Sequence, residues 1–236
     1  MFPRAFARLV GLSLLSLLFS PVDAVAETVI KFELAGMTTE RDIQFDTGTL
    51  STIDDGEAST VGEQSTNVSY QGFLGGLTDI AAGASMTISG VDKLGDALDA
   101  NGIVTQVTSG GTFFLYDDSN FLLLSGAFTG GVVVGSVSDS AGSFFTTSPL
   151  MYTGGSLLPL IIPSSGKLSL SFTDVTTDAS PGMAANGGNL ANFTSVATGS
   201  LEASAVPEPS VMGMAAIGAL LMVRQHRRRR RDASTS

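Results

Sequence analysis

Alternation of apolar and polar positions is the clearest pattern in the chain. In Lys167–Thr173, Leu168, Leu170 and Phe172 alternate with Lys167, Ser169, Ser171 and Thr173. That is the period of two that gives a strand one buried and one solvated face. Ile30, Phe32 and Leu34 alternate in the same way with Lys31 and Glu33. Met86 and Ile88 alternate with Thr87 and Ser89, and Val68 and Tyr70 share one side of Asn67–Gln71. Turn-forming clusters separate these runs: Asp54-Asp55-Gly56, Gly72–Gly76, Asn101-Gly102, Gly130-Gly131, Gly154-Gly155 and Ala185–Asn189. Short alternating runs bounded by turns predict an all-β domain, an antiparallel β-sandwich of two packed sheets with a jelly-roll-like order.

The strongest hairpin signal is Thr112–Tyr116 returning through Asn120–Ser125, joined by Asp117-Asp118-Ser119-Asn120. Asp, Asn and Ser suit such a turn because their side chains bond to nearby backbone groups. Val132-Val133-Val134 reads as a strand covered on both faces. Leu157–Ile162 contains Pro159 and is closed by Pro163. Proline donates no ladder hydrogen bond, so this segment is expected at an edge or in a loop over the end of the sandwich. Val91, Leu94 and Leu98 give the one helical hint, a short connecting helix ended by Asn101-Gly102.

Both ends depart from this pattern. Arg4 and Arg8 precede an uncharged run, Leu9–Phe19, then Ser20-Pro21 and the small residues of Ala24-Val25-Ala26. This is the layout of a Sec signal peptide cleaved between Ala26 and Glu27. At the other end, Val206-Pro207-Glu208-Pro209 precedes an apolar stretch, Val211–Val223, which stops at Arg224 and the run Arg227–Arg231. Each proline fixes φ and keeps the residue before it out of the helical region, so a helix begins only after Pro209. A block of arginine is costly to move across a bilayer and marks a stop, predicting a single transmembrane helix with its basic end inside. The stretch has thirteen residues. At about 1.5 Å each it spans roughly 20 Å, less than a hydrocarbon core of about 30 Å, which suits a transient anchor.

Pro-Glu-Pro, a short Gly-containing apolar helix and a terminal Arg cluster, in that order and behind a signal peptide, resemble the PEP-CTERM sorting domain. That is the bacterial signal recognised by exosortase, a membrane-embedded cysteine transpeptidase-like enzyme. The resemblance covers Val206–Arg231, with a short tail to Ser236 and His226 interrupting the basic block. It implies export by Sec, a transient inner-membrane intermediate, and processing near Pro-Glu-Pro. The implied destination is the cell surface, an extracellular matrix or the medium. The middle of the chain also resembles the Gly/Ser/Thr-rich β domains that precede such signals, in Gly110-Gly111-Thr112-Phe113 and Leu190-Ala191-Asn192-Phe193. The chain therefore divides into a signal peptide (1–26), an acidic β domain (27–205), a sorting signal (206–231) and a tail (232–236).

Composition sharpens that division. The whole chain has formal charge −10, no cysteine, no tryptophan and one histidine. Of 22 acidic residues only Asp23, Glu208 and Asp232 lie outside the middle domain, and of 12 basic residues only Lys31, Arg41, Lys93 and Lys167 lie inside it, leaving it at −15. Such a surface repels phosphate backbones, which argues against nucleic-acid binding. Only 14% of residues are charged and 43% are apolar, so the chain can build a core.

Without cysteine there is no disulfide framework or thiolate chemistry, and His226 would be lost with the sorting signal. The mature domain has no imidazole for a Ser-His-Asp triad. Ser164 and Lys167 have Ser-x-x-Lys spacing, which needs a helix, whereas Lys167 opens an alternating strand. Asp117, Asp118 and Asn120, or Asp54, Asp55 and Glu57, offer oxygen ligands for calcium but lack EF-hand spacing and also make plain turns. Asn67-Val68-Ser69 and Asn192-Phe193-Thr194 fit a glycosylation sequon but fall on predicted strands.

The leading expectation is a non-enzymatic, exported structural or interaction protein, associated with the cell surface or exopolysaccharide and partnered by signal peptidase and exosortase. No cofactor is expected beyond a calcium candidate. A carbohydrate-binding module is the second reading. A glycoside hydrolase built on paired carboxylates is the third, disfavoured by an aromatic inventory of no Trp and three Tyr, at 70, 116 and 152.

Overall fold

The structure, a computed structural model, describes residues 27–34, 41–54, 64–70, 84–137, 139–147, 149–177, 180–205, 218 and 222. The described residues form fifteen strands: β1 (Glu27–Leu34), β2 (Ile43–Asp46), β3 (Thr49–Thr52), β4 (Gln64–Tyr70), β5 (Ala84–Ser89), β6 (Val91–Asp92), β7 (Leu98–Ala100), β8 (Ile103–Tyr116), β9 (Leu122–Ser136), β10 (Ser143–Thr147), β11 (Leu150–Gly154), β12 (Ile161–Thr177), β13 (Ala185–Asn186), β14 (Asn189–Leu190) and β15 (Phe193–Ala205). All but β13 and β14 belong to one antiparallel sheet.

The pairings of that sheet return on themselves. β8 pairs with β9, β9 with β10 and β11, and those two with β12. β12 pairs with β15, β15 with β1, β1 with β4, β4 with β5, and β5 with β8. Shorter strands lie end to end within this circuit. β2 continues β1 along β15, β3 pairs with β2 and β6, and β7 continues β5 along β8. The result is a ring of eight antiparallel runs in which every connection joins neighbours. The all-β antiparallel expectation holds, but the order is up-and-down instead of jelly-roll, and one sheet stands in place of two. Alternation alone cannot separate these, because a strand in a ring and a strand in a sandwich show the same period. Closure has a physical reward, since it leaves no row of unpaired backbone groups along an edge.

Inside the ring sits a continuous apolar core that includes Phe32, Phe45, Phe113, Phe128, Phe145, Phe172 and Phe193. Phe45 and Phe193 stack at 5.8 Å, and Phe128 meets Phe145 edge-on at 5.9 Å.

A crease runs across four neighbouring runs. In β8 the buried positions are Val104, Gln106 and Thr108, then Phe113 and Leu115. In β9 the core-facing positions are Leu124, Gly126 and Phe128, with Leu123 and Ser125 buried beside them, then Gly131, Val133 and Gly135. The β8–β9 register stays unbroken across this change of phase. Two successive residues in each strand therefore turn away from the core: Ser109-Gly110 in β8 and Thr129-Gly130 in β9. Ser89-Gly90 does the same between Ile88 and Val91. β10 and β11 also change phase, from Phe145 and Thr147 to Leu150 and Tyr152. Over Gly166–Phe172, the part that faces β10 and β11, β12 keeps one phase, so the extra residue appears as a shift between Phe145↔Leu170 and Leu150↔Gly166.

At the crease a Cβ on Gly111 would come within 2.5 Å of Val91 Cγ2, and one on Gly131 would collide with the Phe145 ring. Gly130-Gly131, expected as a turn, is thus mid-strand; its glycines answer to close approach across the sheet.

Two further expectations change. Val91, Leu94 and Leu98 form no helix: Val91 lies in β6, Leu98 in β7, and the Leu94 N–H donates to the Val107 carbonyl at 2.8 Å. Asn101 and Gly102, at φ 56° and 79°, make the tight hairpin turn that folds β7 onto β8. Leu157–Ile162 is a short 3₁₀ turn at Leu158–Leu160 leading into β12. Pro163 is tolerated there because it falls in the register shift between Ile162 and Lys167, where β15 asks for no donor. The Asp117–Asn120 and Ala185–Asn189 turns form as expected, between β8 and β9 and between β13 and β14. Asp55, Gly56 and Gly72–Gly76 lie outside the described residues.

Candidate functional sites

Most residues of the two terminal signals fall outside the described residues: Ala24 and Ala26, Val206, Pro207, Glu208 and Pro209, Arg224, Arg227, Arg228, Arg229, Arg230 and Arg231, and His226. Glu27, on the far side of the expected cleavage, opens β1 opposite Ala203 of β15. Gly218 and Met222 of the apolar stretch are helical, and no helix among the described residues is long and apolar enough to cross a membrane.

At the β8–β9 tip, the calcium candidates are committed to the turn. Asp117 Oδ1 accepts the N–H of Ser119 at 2.9 Å and of Phe121 at 2.8 Å. Asp118 Oδ1 accepts the Ser119 hydroxyl at 3.3 Å. Asn120 adopts φ 60° and donates its N–H to the Asp117 carbonyl at 3.1 Å. This geometry is what holds a turn, as Asp and Asn do elsewhere. Among the described residues no three acidic or imidazole groups are placed to share a metal ion. Asp54 is described; Asp55 and Glu57 are not.

Ser164 and Lys167 lie in β12, so the backbone gives their four-residue spacing a strand geometry and not the helical turn a Ser-Lys dyad requires. Asn67 and Ser69 lie in β4, and Phe193 and Thr194 in β15. Asn192 is held at the start of β15. Its Nδ2 donates to Asp46 Oδ1 at 2.6 Å and its Oδ1 accepts the Thr47 N–H at 3.2 Å.

The sequence did not flag Asp42 or Tyr152. Asp42 is buried where β1 hands over to β2 along β15, and its Oδ2 accepts the Ala197 N–H at 3.0 Å. The carboxylate thereby replaces a missing ladder partner at the break. Its main chain is anchored too, with its N–H on the Ser195 carbonyl at 2.9 Å. Tyr152 is buried with its ring edge-on to Phe113 at 6.2 Å, and its hydroxyl donates to the Glu202 carbonyl at 2.6 Å. Burial first, and the Glu202 charge second, push its phenol well above the usual tyrosine range. Both groups do structural work.

The described surface also carries a groove and an aromatic pair. A groove of about 300 Å³ is lined by Gln44, Asp46, Thr176, Asn192 and Thr194, with Phe45 and Phe193 beneath. Its polar groups largely satisfy one another: Thr176 and Thr194 share a hydrogen bond of 3.3 Å, and Gln44 Nε2 donates to Ser51 Oγ at 3.3 Å. On the outer face near the β8–β9 tip, Phe114 and Tyr116 lie nearly parallel, 6.3 Å apart at 18°, both half-buried. Thr87 and Ser125 are their cross-strand neighbours, paired with Phe114. No protein-family model, curated protein or solved structure matches this chain.

Proposed function

We propose that this is an exported bacterial protein of the cell surface or exopolysaccharide layer. It acts as a structural or interaction component, not an enzyme, and is delivered by Sec and sorted by exosortase. The observation that carries the reading is the order of Pro207-Glu208-Pro209, the apolar stretch Val211–Val223 and the arginines to Arg231, behind a signal peptide ending at Ala26. Among the described residues the ring's first strand, β1 (Glu27–Leu34), and its last, β15 (Phe193–Ala205), lie between the two expected processing points. The chain is held briefly in the inner membrane, processed near Pro-Glu-Pro, and then attached or released.

Intact-mass measurement of the extracellular form from the native host tests this. A mass beginning at Glu27 and ending near Pro207–Pro209 is expected; a product retaining Val211–Ser236 overturns it.

A carbohydrate-binding role is the second reading, favoured by the Phe114–Tyr116 pair beside hydroxyl-bearing residues. Half-exposed aromatic faces can carry sugar rings, although a two-ring platform is small. A glycan array should then show binding that Phe114→Ala and Tyr116→Ala abolish. No binding at millimolar ligand, with or without calcium, removes this reading, and a broad hydrolase screen tests the carboxylate-based alternative.

A further inference from the structure

We propose that the outer face of β7, β8, β9 and β10 is a docking surface for a second copy of this chain, packed sheet face to sheet face. The register defines the patch. Leu98 pairs with Thr105, Thr105 with Val134, and Val134 with Phe144. One row along, Val107 pairs with Val132 and Val132 with Thr146; one row the other way, Ala100 pairs with Ile103 and Ile103 with Ser136. These are outward positions, and the large apolar ones are open: Leu98 is 67% exposed, Val107 48%, Ile103 46% and Phe144 41%.

Charge is missing from this face. In these three rows the outward residues are Leu, Ala, Ile, Val, Phe, Thr and Ser, and their β12 neighbours Ser169 and Ser171 are uncharged, with Lys167 the next outward position beyond Ser169. Asp99 falls on the opposite phase of β7, facing Val104. In a domain carrying −15, with 19 acidic residues to place, a neutral apolar face over four strands marks a contact surface. Val132-Val133-Val134 carries the same message within one strand. Val133 is buried in the core, while Val132 and Val134 lie on the outward phase and are half-buried.

Three arguments select a second copy as the occupant. Ring closure removes free edges, so strand addition is unavailable and contact must be face to face. A basic partner would be drawn to the acidic remainder of the surface, leaving this patch for a partner face that is itself neutral and apolar. A two-fold axis near Thr105 and Val134 lays the Val107–Val132 row of one copy toward the Ile103 row of the other, so apolar positions meet apolar positions, as an isologous contact requires.

The area sets the strength. Four strands about 4.8 Å apart and five residues of about 3.3 Å each give roughly 320 Å² per copy. That is less than half of the roughly 800 Å² per partner in a standard stable complex, so the pair belongs to the weak, transient class. Such contacts matter where copies are crowded together.

The inference does not rest on the sorting signal, because the face lies wholly within the ring. Sedimentation velocity on the exported protein as recovered from its host tests it. The weight-average mass should rise toward twice the monomer at roughly millimolar concentration, as expected of a small interface. The rise should be greater at about 1 M salt than at about 0.1 M, because screening relieves the repulsion between acidic copies. Val107→Asp and Phe144→Asp should each abolish the rise. Val107→Thr and Phe144→Thr, which keep strand-forming residues, should weaken it several-fold. Met151→Asp, at an exposed site on the far side of the crease, should leave it intact. A monomer under all conditions overturns the proposal. So does self-association that the Val107 and Phe144 variants leave unchanged, or binding of this face to phosphatidylcholine vesicles in place of a second copy.

Discussion

Gly130 and Gly131 are adjacent in sequence and stand on opposite sides of the sheet, so the same substitution should have opposite effects. A methyl group on Gly131 would lie 2.7 Å from Phe145 Cζ and 2.9 Å from Thr108 Oγ1, with Cε2 closer still. Phe145 is 0% exposed and braced by Phe128 at 5.9 Å, so its ring has nowhere to swing. Overpacking of this kind costs about 1–3 kcal/mol. Against it stands a gain of about 0.4–1 kcal/mol from restricting the unfolded chain, available because neither residue has positive φ. Overpacking wins at Gly131, for a net loss of about 1–2 kcal/mol, or roughly 2–8 °C in Tm for a domain of this size.

At Gly130 a Cβ would meet only the Thr108 carbonyl oxygen at 3.6 Å, an ordinary contact. The entropic gain then stands alone, and Gly130→Ala should stabilise by about 0.4–1 kcal/mol. Thermal and urea unfolding followed by circular dichroism measure both, with unchanged m values showing that the ensembles are comparable. Phe145→Leu should relieve the Gly131→Ala strain, giving a coupling of about 0.5–3 kcal/mol in a double-mutant cycle. Equal effects at the two glycines, or strict additivity with Phe145→Leu, would refute the crease as the reason for Gly130-Gly131.

Three other outcomes follow from buried polar groups and the hairpin tip. Asp42→Ala leaves the Ala197 N–H without its carboxylate acceptor at the β1–β2 break and should cost about 1–3 kcal/mol, with accelerated amide exchange at Ala197 as its local signature. Tyr152 has its phenol pKa raised in the fold, so its stabilising contribution is complete below the ordinary tyrosine value near 10 and declines as pH rises above it. Tyr152→Phe should lose about 0.5–1.5 kcal/mol at neutral pH through the hydrogen bond to the Glu202 carbonyl, yet show a flatter alkaline unfolding profile; an unchanged profile would remove Tyr152 as the cause. Asp117→Ala should destabilise the tip by about 1–2 kcal/mol, with Tm indifferent to chelator in the parent protein. A chelator-dependent Tm would restore calcium to the turn.

Period-two alternation located much of the sheet in advance, because burial on one side of a strand leaves a local trace at every second residue. Lys167–Thr173, Ile30–Leu34 and Met86–Ser89 fall on β12, β1 and β5. Ring closure left no such trace, since it depends on β15 pairing with β1, at opposite ends of the domain. The crease is not legible in the sequence, because a glycine pair looks the same whether it turns the chain or admits a neighbouring side chain. Asp42 was invisible for a related reason: its carboxylate is needed by a backbone group 155 residues away. The Phe114–Tyr116 pair and the neutral face were present as residues in the sequence, but only the register shows which of them share a surface.

For a chain exported as proposed, the closing pair also constrains folding. Among the described residues β1 is the first strand after the expected signal-peptide cleavage, and β15 is the last before the expected sorting signal. In a chain exported as proposed, the ring is completed when β15, the last described strand, pairs with β1, the first. No disulfide is available to hold partial structures, because the chain has no cysteine. Until β15 arrives, the facing sides of β1 and β12 both lack a partner, and unpaired edges are where chains aggregate. Non-local pairing of this kind is slow, because the cost of closing the loop precedes the gain from pairing. A C-terminal stop in the membrane, as proposed, would hold the chain end beside the bilayer during that interval and keep incomplete rings apart from one another. Processing near Pro-Glu-Pro would then follow the emergence of β15. The proposed sorting signal would then separate copies while they fold, and the proposed contact face would bring them together once the edges are closed.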